Sequence, residues 1–546
     1  MSGSINLDLL FLIFGLLILG CTFSSKISTR FSMPCLMLFL FVGLGLQWML
    51  DIPVMQGMLE GKNTVGQLPH NQLSWDFANA FGTVALAFIL FGGGYDSSLK
   101  GIKQVLVPGT ILSTLGVLLT ALLLGGFSFI VFMRHREGTV GMFVAQCLLF
   151  GSIISSTDAS AVFSILRSKK ISLKGTLRPL LEYESGSNDP MATLLTLFFL
   201  DMFVKVGNGA SVASSFLLFI PSFVWKMAVG VALGVVLARA AIWIFNRIRL
   251  DYDGLYHVLG MGVVLIVYST ASLMNANGFM AVYVAGIVMG NSEFVFHNSF
   301  GRYSDALAWL MQVILFTLLG FKANFHLLFD PMFALCGVIM GLFLMLVARP
   351  LATFVCLVRS GYSLRAKALV SWVGLRGGAP IMLATFPLIC TDAQWGQYGN
   401  FSAAEIMFNM VFFMVLMSVA LQSFTIMPLA RLLHLDSPLK VVPTAPLAFD
   451  QVTYNERKKD GHQADADDYA DNRTGEFTVG RNSELADREL RNLGLPAGVF
   501  VLMVRRNTKY IVPRGNTLIR EGDTLTVLGT ENRLHETEVL FRTADG

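Results

Sequence analysis

The chain has 546 residues, 54% of them hydrophobic and only 14% charged, with a mean hydropathy of +0.63. Soluble domains carry about a quarter charged residues, so a water-exposed surface is excluded for most of the length. The formal net charge of +4 is small and the basic residues sit in short loops, which excludes a nucleic-acid-binding face.

Apolar runs long enough to cross ~30 Å of hydrocarbon at ~1.5 Å per residue fall at 5–24, 31–50, 75–94, 105–132, 139–168, 179–205, 222–246, 255–274, 277–291, 304–321, 331–358, 367–390 and 403–433, with 277–291 the weakest. The first run has no basic region ahead of it and no small-residue cleavage site, so it is expected to stay in the protein as a helix. With the N-terminus outside, the loops that become cytoplasmic carry Lys26, Arg30, Lys100, Lys103, Arg167, Lys169, Lys170, Lys174, Arg178, Arg247, Arg249, Arg302, Arg359, Arg365, Lys367, Arg431 and Lys440. The external loops carry Lys62, Arg134, Arg136, Lys205 and Lys322. That bias supports thirteen spans, N-terminus out and C-terminus in. The six cysteines (Cys21, Cys35, Cys147, Cys336, Cys356 and Cys390) lie in or beside apolar runs, with neither metal-ligand spacing nor the pattern of a secreted disulfide framework.

Residues 1–433 therefore read as an all-α polytopic membrane domain and 434–475 as a polar linker of low apolar content. Residues 476–546 read as a small α+β domain. Its expected elements are a strand at EFTV, an amphipathic helix over SELADRELRNLGLP ending at Gly494, and strands at VFVLMVRR, KYIVPRG and DTLTVLGT.

Ionisable residues at membrane depth are costly and point to function. Asp158 stands 11 residues before Lys169, Asp189 11 residues after Arg178, Arg376 9 residues after Lys367 and Arg349 10 residues before Arg359. At ~1.5 Å per residue all four lie roughly 14–17 Å from the cytoplasmic flank, near mid-membrane. Two of these runs are interrupted, one at Ser155-Ser156-Thr157-Asp158 and the other at Arg376-Gly377-Gly378-Ala379-Pro380, and the two run in opposite directions. Opposed interrupted helices mark inverted repeats with the substrate site where the breaks cross. Asp158 can compensate the free helix N-termini there and Arg376 the C-termini. Ser185 and Asp189 share a helix face, while Glu184 points elsewhere. A hydroxyl and a carboxylate beside the Thr157 break suit a dehydrated Na⁺ or K⁺, and the same carboxylate can take a proton instead. Simpler readings make SGSNDP a loop before Pro190, Thr157-Asp158 an N-cap and Arg349 a snorkelling side chain.

At GSIISSTDASAVFSIL, LEYESGSNDPMATLLT, ARPLA and WVGLRGGAP the chain resembles the NhaP/NHE branch of the cation/proton antiporters, close to the bacterial NhaP-type potassium/proton antiporters, over residues 5–433. The resemblance implies a thirteen-helix fold, a homodimer, and a bacterial inner-membrane location. It implies that Asp189 alternates between cation and proton, with Glu184, Ser185 and Thr157 coordinating and Asp158 reaching the site through water. Asn188 stands where electrogenic relatives carry a second Asp, which implies one cation for one proton. Arg376 and Arg349 become structural charge partners, with Arg376 expected to pair with Glu184. The tail LGLPAGVFVLMVRRNTKYIVPRGNTLIREGDTLTVLGT resembles the RCK/TrkA C-terminal domain, which implies regulation and binding of small effectors such as cyclic dinucleotides, or else a simple dimerising cap. No cofactor and no enzymatic nucleophile–base pair is expected. Potassium rests on the tail and the overall resemblance, with Na⁺/H⁺ antiport as the alternative. A gated cation channel is a second alternative, although no carbonyl-filter loop of the TVGYG kind occurs.

Overall fold

A computed structural model describes residues 35–51, 75–133, 139–168, 171–212, 219–248, 252–390, 395–398, 401–438 and 472–480, and nearly all of 483–544. The chain divides into two units, Met1–Leu439 and Lys440–Gly546.

In the first unit the helices are α1 (Cys35–Asp51), α2 (Trp75–Tyr95), α3 (Leu99–Phe132), α4 (Val140–Ile153), α5 (Ala159–Ser168), α6 (Leu177–Gly207), α7 (Phe219–Arg247), α8 (Asp253–Leu273), α9 (Gly278–Gly290), α10 (His297–Lys322), α11 (Pro331–Cys356), α12 (Leu364–Trp372), α13 (Gly378–Leu383) and α14 (Ala403–Leu432). Eight helices among the described residues are long and apolar enough to cross a membrane, and Met37–Trp48, Val140–Ile153, Gly278–Gly290 and Gly378–Ile389 are shorter apolar stretches. Every predicted run from 31–50 onward overlaps one of these helices or shorter stretches. The run 5–24 lies almost wholly outside the described residues. Two helices begin more than a turn ahead of their apolar runs. Helix α3 starts at Leu99, where the Ser98 side chain accepts from Gly101 N, and α10 starts at His297. Both α3 and α11 carry a π-helical turn, at Leu112–Gly116 and Leu344–Ala348.

Packing sorts the helices into two groups. Helix α9 packs on α2, α7 and α8, and apolar residues of these four helices and α10 close one core. Gly286 and Gly290 of α9 face the α2 backbone at Phe91 and Tyr95 with no room for a β-carbon, the small-residue contact that lets membrane helices touch closely. Helices α3, α4, α6 and α11 to α14 supply much of a second, larger core.

The segments 139–168 and 367–390 are broken as the sequence indicated. Residues 154–158 separate α4 from α5, and 373–377 separate α12 from α13. A two-stranded ladder then joins β1 (Ile171–Leu173) to β2 (Asp436–Pro438), so the first residues of the expected linker are paired with the loop between α5 and α6. Lys174 reinforces it, N to Leu435 O and Nζ to His434 O, both 2.9 Å.

The second unit contains an antiparallel sheet of β3 (Asn472–Thr478), β4 (Phe500–Arg506), β5 (Lys509–Ile511) and β6 (Thr524–Thr530) in the order β3-β6-β4-β5. The helix expected to end at Gly494 is not formed. Asp487 has positive φ, and the segment instead bonds to 515–519 (Asp487 N to Ile519 O, Leu490 N to Thr517 O, Arg491 N to Gly515 O). Those N–H groups are spent on a distant strand-like partner, leaving one 3₁₀ turn, Leu490–Asn492. A helix the sequence reading did not name, α15 (Glu531–Ala544), packs on β3 and β6.

Candidate functional site

The two breaks touch through their backbones. Asp158 N donates to Leu375 O at 2.7 Å, and a β-carbon on Gly377 would lie 2.6 Å from both Asp158 Cβ and Oδ2. Helix ends leave N–H and C=O groups without intrahelical partners, and at this depth they must find partners in the protein. Arg376 Nη1 donates to Ser155 O (2.6 Å) and Ser156 O (2.7 Å), beyond the C-terminal end of α4. Helix α14 serves the other break. Ser418 Oγ accepts from Arg376 N at 3.2 Å, and Gln422 Nε2 donates to Trp372 O at 2.9 Å.

Helix α6 runs past this crossing. Ser185 Oγ donates to Thr157 O and accepts from Ala159 N, both at 2.9 Å, tying α6 to the first turn of α5. Asn188 Nδ2 donates to Thr157 Oγ1 (2.6 Å) and, more weakly, to Glu184 Oε1 (3.5 Å). Thr157 Oγ1 in turn donates to Glu184 Oε1 at 3.3 Å. A carboxylate only accepts, which orients the Asn188 amide with its Nδ2 toward Glu184. Its Oδ1 and Ser156 Oγ are then buried and without a hydrogen bond among the described residues. Asp189 is half-buried next along α6, with Asp158 and Glu184 as electrostatic neighbours and the Ser156 hydroxyl beside it.

Arg349 supplies the counter-charge to Glu184. Its Nη2 lies 2.7 Å from Glu184 Oε1, and both side chains are 2% exposed. The expected pairing of Glu184 with Arg376 is therefore corrected: Arg376, equally buried, spends Nη1 on the carbonyls of the first break instead. Nor does Arg349 snorkel. It follows the π-helical turn of α11, and its Nε faces Gly374, where a β-carbon would lie 2.8 Å away.

The crossing of the two broken helices thus gathers three carboxylates, two guanidinium groups and several neutral oxygens. The sodium/hydrogen exchanger transmembrane family matches residues 13–432. The chain belongs to that family. A TrkA-C domain matches residues 475–542 of the exchanger. It is 29% identical to the K(+)/H(+) antiporter NhaP of Alkalimonas amylolytica over 96% of this chain and 81% of that protein. It is 30% identical to the K(+)/H(+) antiporter NhaP2 of Shewanella baltica over 99% of this chain and 84% of that protein. The Na(+)/H(+) antiporter NhaP of Pseudomonas aeruginosa matches at 27% identity over 67% of this chain and 84% of its own length. The fold matches the sodium proton antiporter MjNhaP1 of Methanocaldococcus jannaschii with a TM-score of 0.60 at 22% identity, covering 77% of this chain and all of that one. Membership speaks for exchange and against a gated channel.

All eight residues singled out from the sequence (Thr157, Asp158, Glu184, Ser185, Asn188, Asp189, Arg349 and Arg376) gather where the breaks of the exchanger meet α6 and α11. Ser156 is the polar group the sequence reading left out. The Ser-Ser-Thr-Asp interruption contained it, but nothing in the spacing separated its hydroxyl from that of Ser155, which turns back to Ser152 O at 2.6 Å.

Proposed function

We propose that the protein is a secondary active antiporter that exchanges K⁺ for H⁺, one for one, by competition at Asp189. The charge inventory of the crossing carries this reading. Asp158, Glu184 and Asp189 against Arg349 and Arg376 leave one net negative charge when all are ionised. A single monovalent cation or a single proton brings it to zero, so the two occupants are equivalent in charge and exclude each other. Burial makes that neutralisation necessary, because an uncompensated charge at this depth is costly.

Glu184 acts mainly by holding Thr157 and Asn188 in place under Arg349. Asp189, Asn188 Oδ1, Ser156 Oγ and the free lone pair of Ser185 Oγ are the oxygens offered to the cation, a set that suits a hard alkali ion. Asp158 adds charge at the same crossing. Potassium is favoured because the relatives matching nearly the whole chain are named K(+)/H(+) antiporters. Sodium is the second reading, favoured by the Na(+)/H(+) antiporter that matches over 67% of the chain. The protein works as a homodimer in a bacterial inner membrane, N-terminus out and C-terminus in, and its TrkA-C domain regulates exchange by binding a small effector such as a cyclic dinucleotide. Proton flux in everted vesicles on adding K⁺, Na⁺ or Li⁺ tests the assignment. Flux with K⁺ supports it, flux with Na⁺ alone transfers it to sodium, and cation movement without counter-flow of protons rejects exchange.

A further inference from the structure

Helix α6 has a second face, beside the one that carries the Glu184–Asn188–Thr157 hydrogen bonds. Glu182, Gly186, Asp189 and Pro190 recur at helical spacing and share it. Helix α9 lies along this face in the opposite direction. At one end Asn277 Nδ2 donates to Pro190 O at 2.8 Å, and further along Tyr283 meets Gly186. The contact is close enough that only glycine fits. A β-carbon on Gly186 would overlap the Tyr283 ring and lie 2.6 Å from its hydroxyl.

The hydroxyl of Tyr283 is buried and makes no hydrogen bond to a described residue, with Glu182, Tyr183, Ser97 and Ser187 as its polar neighbours. Another tyrosine of the site region offers a contrast. Tyr183 packs on Gly109 in the same ring-on-glycine manner, but its hydroxyl is paired with Thr110 Oγ1 at 3.0 Å. A buried hydroxyl normally has a partner. One that lacks it, facing the carboxylate-bearing side of a transport helix, is an oxygen available to a passing ion.

Tyr283 also joins the two helix groups. Its own helix packs chiefly on α2, α7 and α8, whereas Gly186 sits on the helix that packs on α3 and α4. Gly186 lies between Arg178 and Asp189 along α6, so the ring stands on the Arg178 side of Asp189.

We propose that Tyr283 is the gate on the Arg178 side of the site: its ring covers the Asp189-bearing face of α6, and its hydroxyl gives the cation an oxygen between Glu182 and Asp189. This rests on Asp189 being the exchange site, as proposed above. Movement of the α6 group against the α9 group slides Gly186 off the ring and opens that route.

Exchange measured in everted and right-side-out vesicles separates gating from mere support. Tyr283→Phe removes one unpaired oxygen and leaves the ring seated, so the protein should extract as a monodisperse species. It should raise the apparent KM for the cation presented from the Arg178 side by about three-fold or more, leaving KM from the opposite side unchanged. A structural defect would instead lower turnover equally in both orientations. Gly186→Ala should unseat the ring and cut turnover, and adding Tyr283→Ala should restore part of it. Unchanged KM on both sides in Tyr283→Phe, with Asp189→Asn inactive in the same assay, overturns the gate alone. Exchange persisting in Asp189→Asn overturns the site assignment and the gate with it.

Discussion

Removing Arg349 tests the buried pair at the centre of the crossing. Its Nη2 sits 2.7 Å from Glu184 Oε1 with both side chains 2% exposed. Arg349→Met would leave Glu184 buried without its paired guanidinium, held by hydrogen bonds from Thr157 at 3.3 Å and Asn188 at 3.5 Å and by the more distant charge of Arg376. Breaking one side of such a pair costs about 3–5 kcal/mol, whereas replacing both sides with neutral groups of similar volume is close to neutral. In Arg349→Met/Glu184→Gln the glutamine carbonyl still accepts from Thr157 and Asn188, and no orphaned charge remains. At roughly 2 °C per kcal/mol, the single variant should melt about 6–10 °C below wild type and the double variant within about 3 °C of it. The assay is the fraction of solubilised protein still monodisperse on size exclusion after heating. Equal losses in the single and double variants would refute the reasoning, because the damage would then come from lost packing and not from a stranded carboxylate.

Three other outcomes follow from the same geometry. Asp189→Asn keeps the shape of the side chain and removes its charge, so cation-dependent proton flux should fall to background while the melting temperature is preserved; measurable exchange would remove Asp189 from the mechanism. Gly377→Ala places a β-carbon 2.6 Å from the Asp158 side chain, and the overpacking should cost about 1–3 kcal/mol and slow exchange by displacing Asp158, both read in the same melting and flux assays. A one-for-one cycle moves no net charge, so an imposed potential should leave the rate in liposomes unchanged; one uncompensated charge would be worth about 2.3 kcal/mol per 100 mV, and a rate that follows the voltage would reject the stoichiometry.

That the four charges would meet was legible in the sequence, and how each helix is turned about its axis was not. A helix rises a fixed distance per residue, so counting from Lys169, Arg178, Arg359 and Lys367 set Asp158, Asp189, Arg349 and Arg376 at one level without any structure. The interruptions were legible because runs of Ser, Thr, Gly and Pro break the apolar pattern, and at Arg376 neither flanking apolar piece is long enough to span alone. Which arginine meets Glu184 depends instead on how α6, α11 and the second break are rotated about their axes, and rotation is fixed by packing across distant parts of the chain. Position along the chain alone favours Arg376, yet its guanidinium points at the Ser155 and Ser156 carbonyls and leaves Glu184 to Arg349. The same limit explains the TrkA-C domain. Leu485, Leu490 and Leu493 fit a helical face, but the N–H groups of Asp487, Leu490 and Arg491 find acceptors at 515–519, a pairing local spacing does not encode. The ladder between Ile171–Leu173 and Asp436–Pro438 is a third instance, long-range and invisible in a segment that reads as linker. Because that ladder holds the loop between α5 and α6, the two helices that Ser185 ties together through Ala159 N, the residues that follow α14 are fastened to the loop that joins this pair.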